Sequence, residues 1–212
     1  FTESWIPFLD RIVFMDVSLR NLGYSTDPKA IQGIHIFLPQ FFYDRKLPKD
    51  IDVSFIGTIN SIERKECVEF LLSKGIKVIT KGEERISWDE YATLMNRSKI
   101  SLNFCSTTLR GRTFEAIASN SMLLEDFGTE TKRLFDDGKE FVMTNGREDM
   151  YNKIIYYLNH DSEREQISRA GYEKVYKIYT SKNIWAYILN RAGFFIPGDS
   201  DYYEYVHKVE AM

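Results

Sequence analysis

Val53-Ser54-Phe55-Ile56-Gly57-Thr58, followed by the helix-length run 62–73 and then Gly75, reads as a strand, a tight turn and a crossover helix. Val68, Leu71 and Leu72 share one face of that helix, and Gly75 closes it. The unit repeats. Residues 76–80 read as a second strand ending at Lys81-Gly82, and Ser87 starts a helix with Glu90 three positions on, the spacing of a capping box. Tyr91, Leu94 and Met95 give this helix its apolar stripe. Residues 100–104 form a third strand, 105–111 a polar loop and 112–119 a short helix, with Asn120 as a left-handed stop. A fourth strand at 122–124, a short helix at 129–135 and a fifth strand at 141–144 follow. Three helices over 147–159, 161–179 and 181–192 complete the pattern, with Asp161 and Ser181 as expected N-caps. Strands alternating with helices predict an α/β fold: a Rossmann-like, doubly wound parallel sheet with a helical C-terminal region.

The head of the chain differs. Residues 11–15 and 35–39 read as two strands separated by turn formers, and 45–50 as a polar connector containing Pro48. The expected division is therefore a partial N-terminal lobe and linker over 1–50, the sheet domain with its helices over 51–194, and a tail over 195–212. An opening Phe1 and only one or two strand-like runs in the first fifty residues lead us to expect a piece of something longer.

Composition narrows the function. The 212 residues are 43% hydrophobic and 15% aromatic, enough to build a core, so disorder is excluded as the main state. With 31 acidic residues against 28 basic ones, no global basic field exists to hold a nucleic acid. No apolar run is long enough to cross a bilayer, and the first ten residues lack the grammar of a signal peptide. Cys67 and Cys105 show neither a disulfide framework nor zinc-ligand spacing, which makes a cytoplasmic setting the expectation.

In an open parallel sheet, ligands lie at the carboxyl ends of the strands. The loops there are 57–61, 81–87, 105–111 and 127–128. Arg64 and Lys65 begin one helix after such a loop, and Arg110 and Arg112 begin another. Guanidinium groups beside a helix N-terminus suit a diphosphate, although single arginines are commonly plain surface residues. Glu115, early in the second of these helices, can accept both hydroxyls of a ribose or merely favour the helix dipole. Sequence alone leaves both readings open. His35, His160 and His207 read as structural or solvated, and no residue is assigned as a general base.

Arg112-Thr113-Phe114-Glu115-Ala116-Ile117-Ala118-Ser119-Asn120, with Met122-Leu123-Leu124 after it, resembles the R-x-F-E-A-x-A-x-G-x-x-L signature of group-1 glycosyltransferases of GT-B fold. The resemblance is strongest to their spore-maturation, CgeB-like branch. Asp52 to Thr58 with Arg64 resembles that branch's D-V-S-F-x-G-T run and following arginine. Tyr91 to Asn103 is similar to its tyrosine-bearing helix and S-K-I-x-L-N strand, and Leu134 to Glu140 to its L-F-x-x-G-K-E turn. The likeness spans roughly residues 50–190 and implies the C-terminal, donor-binding half of a GT-B enzyme. By this resemblance Gly57, Thr58, Arg64, Arg110 and Arg112 would hold the donor diphosphate. Lys81, Gly82, Glu83 and Glu115 would hold base and ribose, and Ser106, Thr107 and Thr108 would border the donor sugar. Two departures stand out: Thr107 occupies the place of the first carboxylate in the family's E-x7-E pair, and Asn120 replaces a glycine.

No Asp-x-Asp triplet lies on a candidate loop, so the expected transfer needs no metal and no cofactor, basic groups offsetting the charge of the departing diphosphate. The expected partners are a nucleotide-diphosphate sugar, a glycan, lipid or protein acceptor, and an N-terminal lobe outside this chain or on a partner chain. A nucleotide-sugar-binding module without transferase activity is the alternative. An interaction domain of response-regulator type is disfavoured, because Gly57-Thr58 and basic residues stand where that fold has an acidic cluster.

Overall fold

The computed structural model describes residues 9–15, 22–59, 61–81, 86–104, 109–127 and 130–212. Strands β3 (Ile51–Ile56), β4 (Val78–Lys81), β5 (Ser98–Phe104), β6 (Met122–Asp126) and β7 (Val142–Thr144) form one sheet in the order β4-β3-β5-β6-β7. All of its pairings are parallel. Helices α1 (Ile62–Ser73), α2 (Trp88–Arg97), α3 (Gly111–Ala118) and the single turn α4 (Thr131–Leu134) connect successive strands, and α5 (Arg147–Leu158), α6 (Asp161–Lys177), α7 (Ser181–Arg191) and α8 (Ser200–Glu210) follow β7. This is the Rossmann-like α/β fold that the alternation predicted.

A parallel sheet is covered on both faces, so its strands must bury both sets of alternating side chains. Val53, Phe55, Ile100, Leu102, Met122 and Leu124 point into a layer with Cys67 and Leu71 of α1 and Met150 and Ile154 of α5. Ile56 and Leu123 belong to the opposite layer, with Ala92 and Met95 of α2 and Phe114 and Ile117 of α3. Polar strand residues on this second face are buried too: Ser98 donates to Ser54 at 2.7 Å, and the Ser101 and Ser121 hydroxyls lie 2.9 Å apart.

Residues on both sides of Asp50 share one core. Ile34, Phe37 and Phe42 are buried in the same layer as Phe114 and Tyr179, and the Tyr176 hydroxyl donates to the Phe42 carbonyl at 2.5 Å. Burying each of these large side chains contributes about 1.5–3 kcal/mol, which ties the head to the sheet domain. Asn120 adds a polar clasp. Its φ of 52° is the left-handed stop that the sequence predicted. Its amide donates to Asp44 at 3.0 Å and accepts from Ser168 at 2.9 Å, contacts that the family's glycine would lack.

Several expectations shift. The second head strand is β2 (Ala30–Gln32), parallel to β1 (Ile12–Phe14) in register Ile12↔Ala30, and residues 35–39 are not a strand. Ile34 and Phe37 are spent on the helical layer, and Pro39 offers no N–H to a ladder. The N-caps expected at Asp161 and Ser181 fall one residue earlier, at His160 and Thr180. Thr180 accepts from the Asn183 amide at 3.2 Å, and Asp161 instead binds Arg164 from within the first turn. The helix expected over 129–135 is a single turn, Thr131–Leu134. The segment expected as a tail contains α8, whose Tyr202, Tyr205 and Val209 are buried.

Candidate functional site

A cleft of about 330 Å³ opens at the carboxyl edge of the sheet. Ile56 and Gly57 end β3 and Lys81 ends β4; Ile86, Ser87, Trp88 and Tyr91 come from the start of α2; Arg112 and Glu115 come from α3. The last two, three positions apart, lie on one side of their helix. One wall is thus aromatic and aliphatic, the other charged.

Local sequence explains each placement. Ser87 caps α2 by accepting from the Glu90 amide at 3.1 Å, which sets Trp88 in the first turn and Tyr91 one turn further in. Trp88 is 51% exposed and packs against Phe41, Phe42 and Tyr91, with ring centroids 6.1–6.4 Å apart. Helix α3 begins at Arg110 with no side-chain cap. Its first residue, Gly111, lets the His35 ring approach: a Cβ there would stand 2.7 Å from the ring.

Glu115 is only 9% exposed and accepts a 2.7 Å hydrogen bond from the Tyr91 hydroxyl through Oε2. Burial pushes its carboxyl above the ordinary range, against the opposing pull of the Tyr91 bond and of the Arg112 and His35 charges. Burial, reinforced by the neighbouring Glu115 charge, also raises the Tyr91 phenol, so it stays protonated and donates. Arg112 lies over the Phe55 ring with its Cζ 5.1 Å from the centroid, and its Nη1 donates to Asn103 at 3.3 Å. The buried Nε of Arg112 has no hydrogen-bond partner among the described residues. Gly57 is what lets this guanidinium sit over the strand end, because a Cβ would stand 2.2 Å from Nη2.

Of the residues expected at the site, Gly57, Lys81, Arg112 and Glu115 line this cleft together. Thr58, Arg64 and Arg110 do not. Thr58 and Arg110 are exposed, and Arg64 donates to the Thr58 carbonyl at 3.2 Å with its Cζ 6.0 Å from the Phe55 ring that also carries Arg112. Gly82, Glu83, Ser106, Thr107 and Thr108 lie outside the described residues. The loop 81–87 that the carboxyl-edge rule selects contains Ile86, which was not singled out, and sequence reasoning missed Trp88, one residue past that loop, as a lining residue. It also missed Asn103 and Glu125 beneath Arg112, and the approach of His35.

A charged cleft at the carboxyl edge of a doubly wound parallel sheet, beside an open helix N-terminus, is the ligand-site arrangement of Rossmann-like domains. Residues 45–190 match the family described as glycosyl transferase-like, and the chain belongs to that family. A search of curated proteins finds no significant match. Among solved structures, a point mutant of S. aureus TarM in complex with fondaparinux, alpha-GlcNAc-glycerol and UDP superposes with a TM-score of 0.68 at 12% identity, covering 90% of this chain and 45% of TarM. HepE from Anabaena in complex with UDP and glucose gives 0.69 at 11% identity, covering 88% of this chain and 64% of HepE. The C-terminal domain of the group-1 glycosyl transferase LpcC from Francisella tularensis gives 0.53 at 14% identity, covering 68% of this chain and 99% of that domain. At these identities the likeness shows the fold, a GT-B type Rossmann-like half. The chain spans less than two thirds of TarM and of HepE.

Proposed function

We propose that this chain supplies the donor site of a glycosyltransferase, which moves a sugar from a nucleoside-diphosphate sugar to an acceptor without a metal ion. The observation that carries the reading is the convergence of Arg112 and Glu115 on one cleft, with Gly57 allowing the guanidinium over the strand end. The motifs of residues 52–58 and 112–124 favour the spore-maturation, CgeB-like branch, and the UDP complexes of the two structural neighbours support a nucleotide donor.

The cleft divides the donor by chemistry. A base packs on the Ile86, Trp88 and Tyr91 wall, where an aromatic face accepts any flat ring. Ribose hydroxyls donate to the Glu115 carboxylate, whose Oε2 Tyr91 already holds in place. The diphosphate meets Arg112, with Arg64 and Arg110 as further cations and the start of α3 as a dipole. In the transfer, the bond from the anomeric carbon to the diphosphate oxygen breaks and a bond to the acceptor oxygen forms. The acceptor proton passes to a base outside the residues assigned here. Charge growing on the diphosphate is what Arg112 stabilises more in the transition state than in the ground state.

A glycan, lipid or protein acceptor would be presented by a facing lobe, on this protein or a partner. We assign a reducing, cytoplasmic setting, in which a buried free thiol such as Cys67 stays reduced. No helix among the described residues is long and apolar enough to cross a membrane.

Calorimetric titration with UDP, GDP, ADP and TDP, with and without Mg²⁺, tests the reading. Saturable binding of one diphosphate without metal is expected, and no binding by any of the four removes the donor-site assignment. Activity lost with EDTA and restored by Mn²⁺ would remove metal independence. Gly57→Ala supplies an internal check. The new methyl must push the guanidinium off the strand end, so diphosphate affinity falls about tenfold, the size of one charge-assisted bond, while the nucleoside binds as before. Isothermal titration of both ligands measures it.

A further inference from the structure

Beneath Arg112 lies a polar chain that the donor reading leaves unused. Glu125 on β6 is completely buried. The parallel register sets it directly beside Asn103 of β5, on the face that carries α3. Its Oε1 accepts from the Asn103 amide at 2.5 Å and from the Thr113 hydroxyl at 3.0 Å. The Asn103 amide also donates to Thr113 at 3.2 Å. Burial raises the Glu125 carboxyl, and Oε1 accepts whether or not Oε2 carries a proton; an oxygen receiving two donors forces the NH₂ of Asn103 inward, and its carbonyl must face the other way. That carbonyl is the acceptor for Arg112 Nη1 at 3.3 Å.

Resting on the donor-site reading, we infer that Glu125 is a positioning residue: by fixing the orientation of the Asn103 amide, it aims the Arg112 guanidinium at the donor diphosphate. A side chain without an acceptor at this position lets Thr113 rotate and Asn103 flip. A flipped Asn103 presents N–H groups to a cation and turns Arg112 away. Burying a carboxyl group in a sheet is costly, and this network gives the cost a purpose. Glutamine can keep the arrangement, because its carbonyl can occupy the Oε1 position.

The test compares UDP with uridine by calorimetry, or whichever diphosphate and nucleoside the wild-type chain binds. Glu125→Met is expected to lower diphosphate affinity about tenfold with little change for the nucleoside, the loss of one aimed charge-assisted contact. Glu125→Gln is expected to restore it. In an Arg112→Ala background, Glu125→Met should cause no further loss of diphosphate preference, because the two act as one unit. Equal losses for both ligands, a Glu125→Gln variant as weak as Glu125→Met, or additive losses in the double variant would each overturn the inference. If Glu125→Met does not fold, Asn103→Ala removes the same acceptor for Arg112, leaves Glu125 bonded to Thr113, and must show the same selective loss. A wild-type chain that binds no diphosphate instead defeats the donor reading itself, so the two failures are distinct.

Discussion

Glu115→Gln is expected to weaken nucleoside binding by about 1–3 kcal/mol, because ribose hydroxyls then face an amide in place of a charged acceptor. The free protein should be at least as stable as the wild type. Burial holds the Glu115 carboxyl above its ordinary range in the folded chain, so the native state binds the proton more tightly than the unfolded state does. Above that raised pKa the ionised group therefore opposes folding, and a neutral glutamine removes the opposition while still accepting from Tyr91. Lost affinity with unchanged or raised stability is the mark of a group kept for binding. Nucleoside affinity of the wild type should also fall as the pH drops through the raised pKa, starting at a higher pH than for an ordinary carboxylate, whereas Glu115→Gln should lack that step. Thermal unfolding and titrations across pH check both parts; unchanged affinity in a folded variant would sink the ribose role. The alternative of a surface carboxylate favouring the helix dipole sits poorly with a side chain that is 9% exposed.

Arg112→Ala is expected to cost about 1.5–3 kcal/mol for a nucleoside diphosphate and much less for the nucleoside alone. The guanidinium spends one Nη1 bond on Asn103, acts on the Tyr91 hydroxyl and packs on Phe55, with its Nε buried, and these uses fall short of its five N–H groups. Its donor capacity thus exceeds what the fold consumes. Arg112→Lys should recover only part of the loss, since an ammonium keeps the charge but not the planar fork. Paired titrations of the two ligands decide the matter. Equal losses would make Arg112 a structural residue.

Much of the fold was legible because its signals are local. The run 53–56, the Ser87 and Glu90 spacing and the left-handed stop at Asn120 each depend on residues within a turn or two of one another, and each stands where expected. Errors arose where two local answers were nearly equal. Thr180 and Ser181 are both good caps, and the one that capped was chosen by where α7 had to begin against the core. Residues 30–32 and 35–39 are both short runs of mixed apolar and polar residues, and only the pairing of 30–32 with β1 separated them.

The site divides along the same line. The presence of a basic group and a carboxylate at the start of α3 was determined by the sequence, because helical spacing alone puts Arg112 and Glu115 on one side. That Arg112 stands over Gly57, that Tyr91 holds Glu115, and that Trp88 faces them both were decided only by the tertiary structure. Glu125 shows the reason most plainly. In sequence it is a polar residue near the end of a strand, indistinguishable from a solvated one. Its burial and its two donors come from Asn103 and Thr113, 22 and 12 positions away. Backbone periodicity is written into neighbouring residues; the partner of a buried polar group exists only once distant segments have packed.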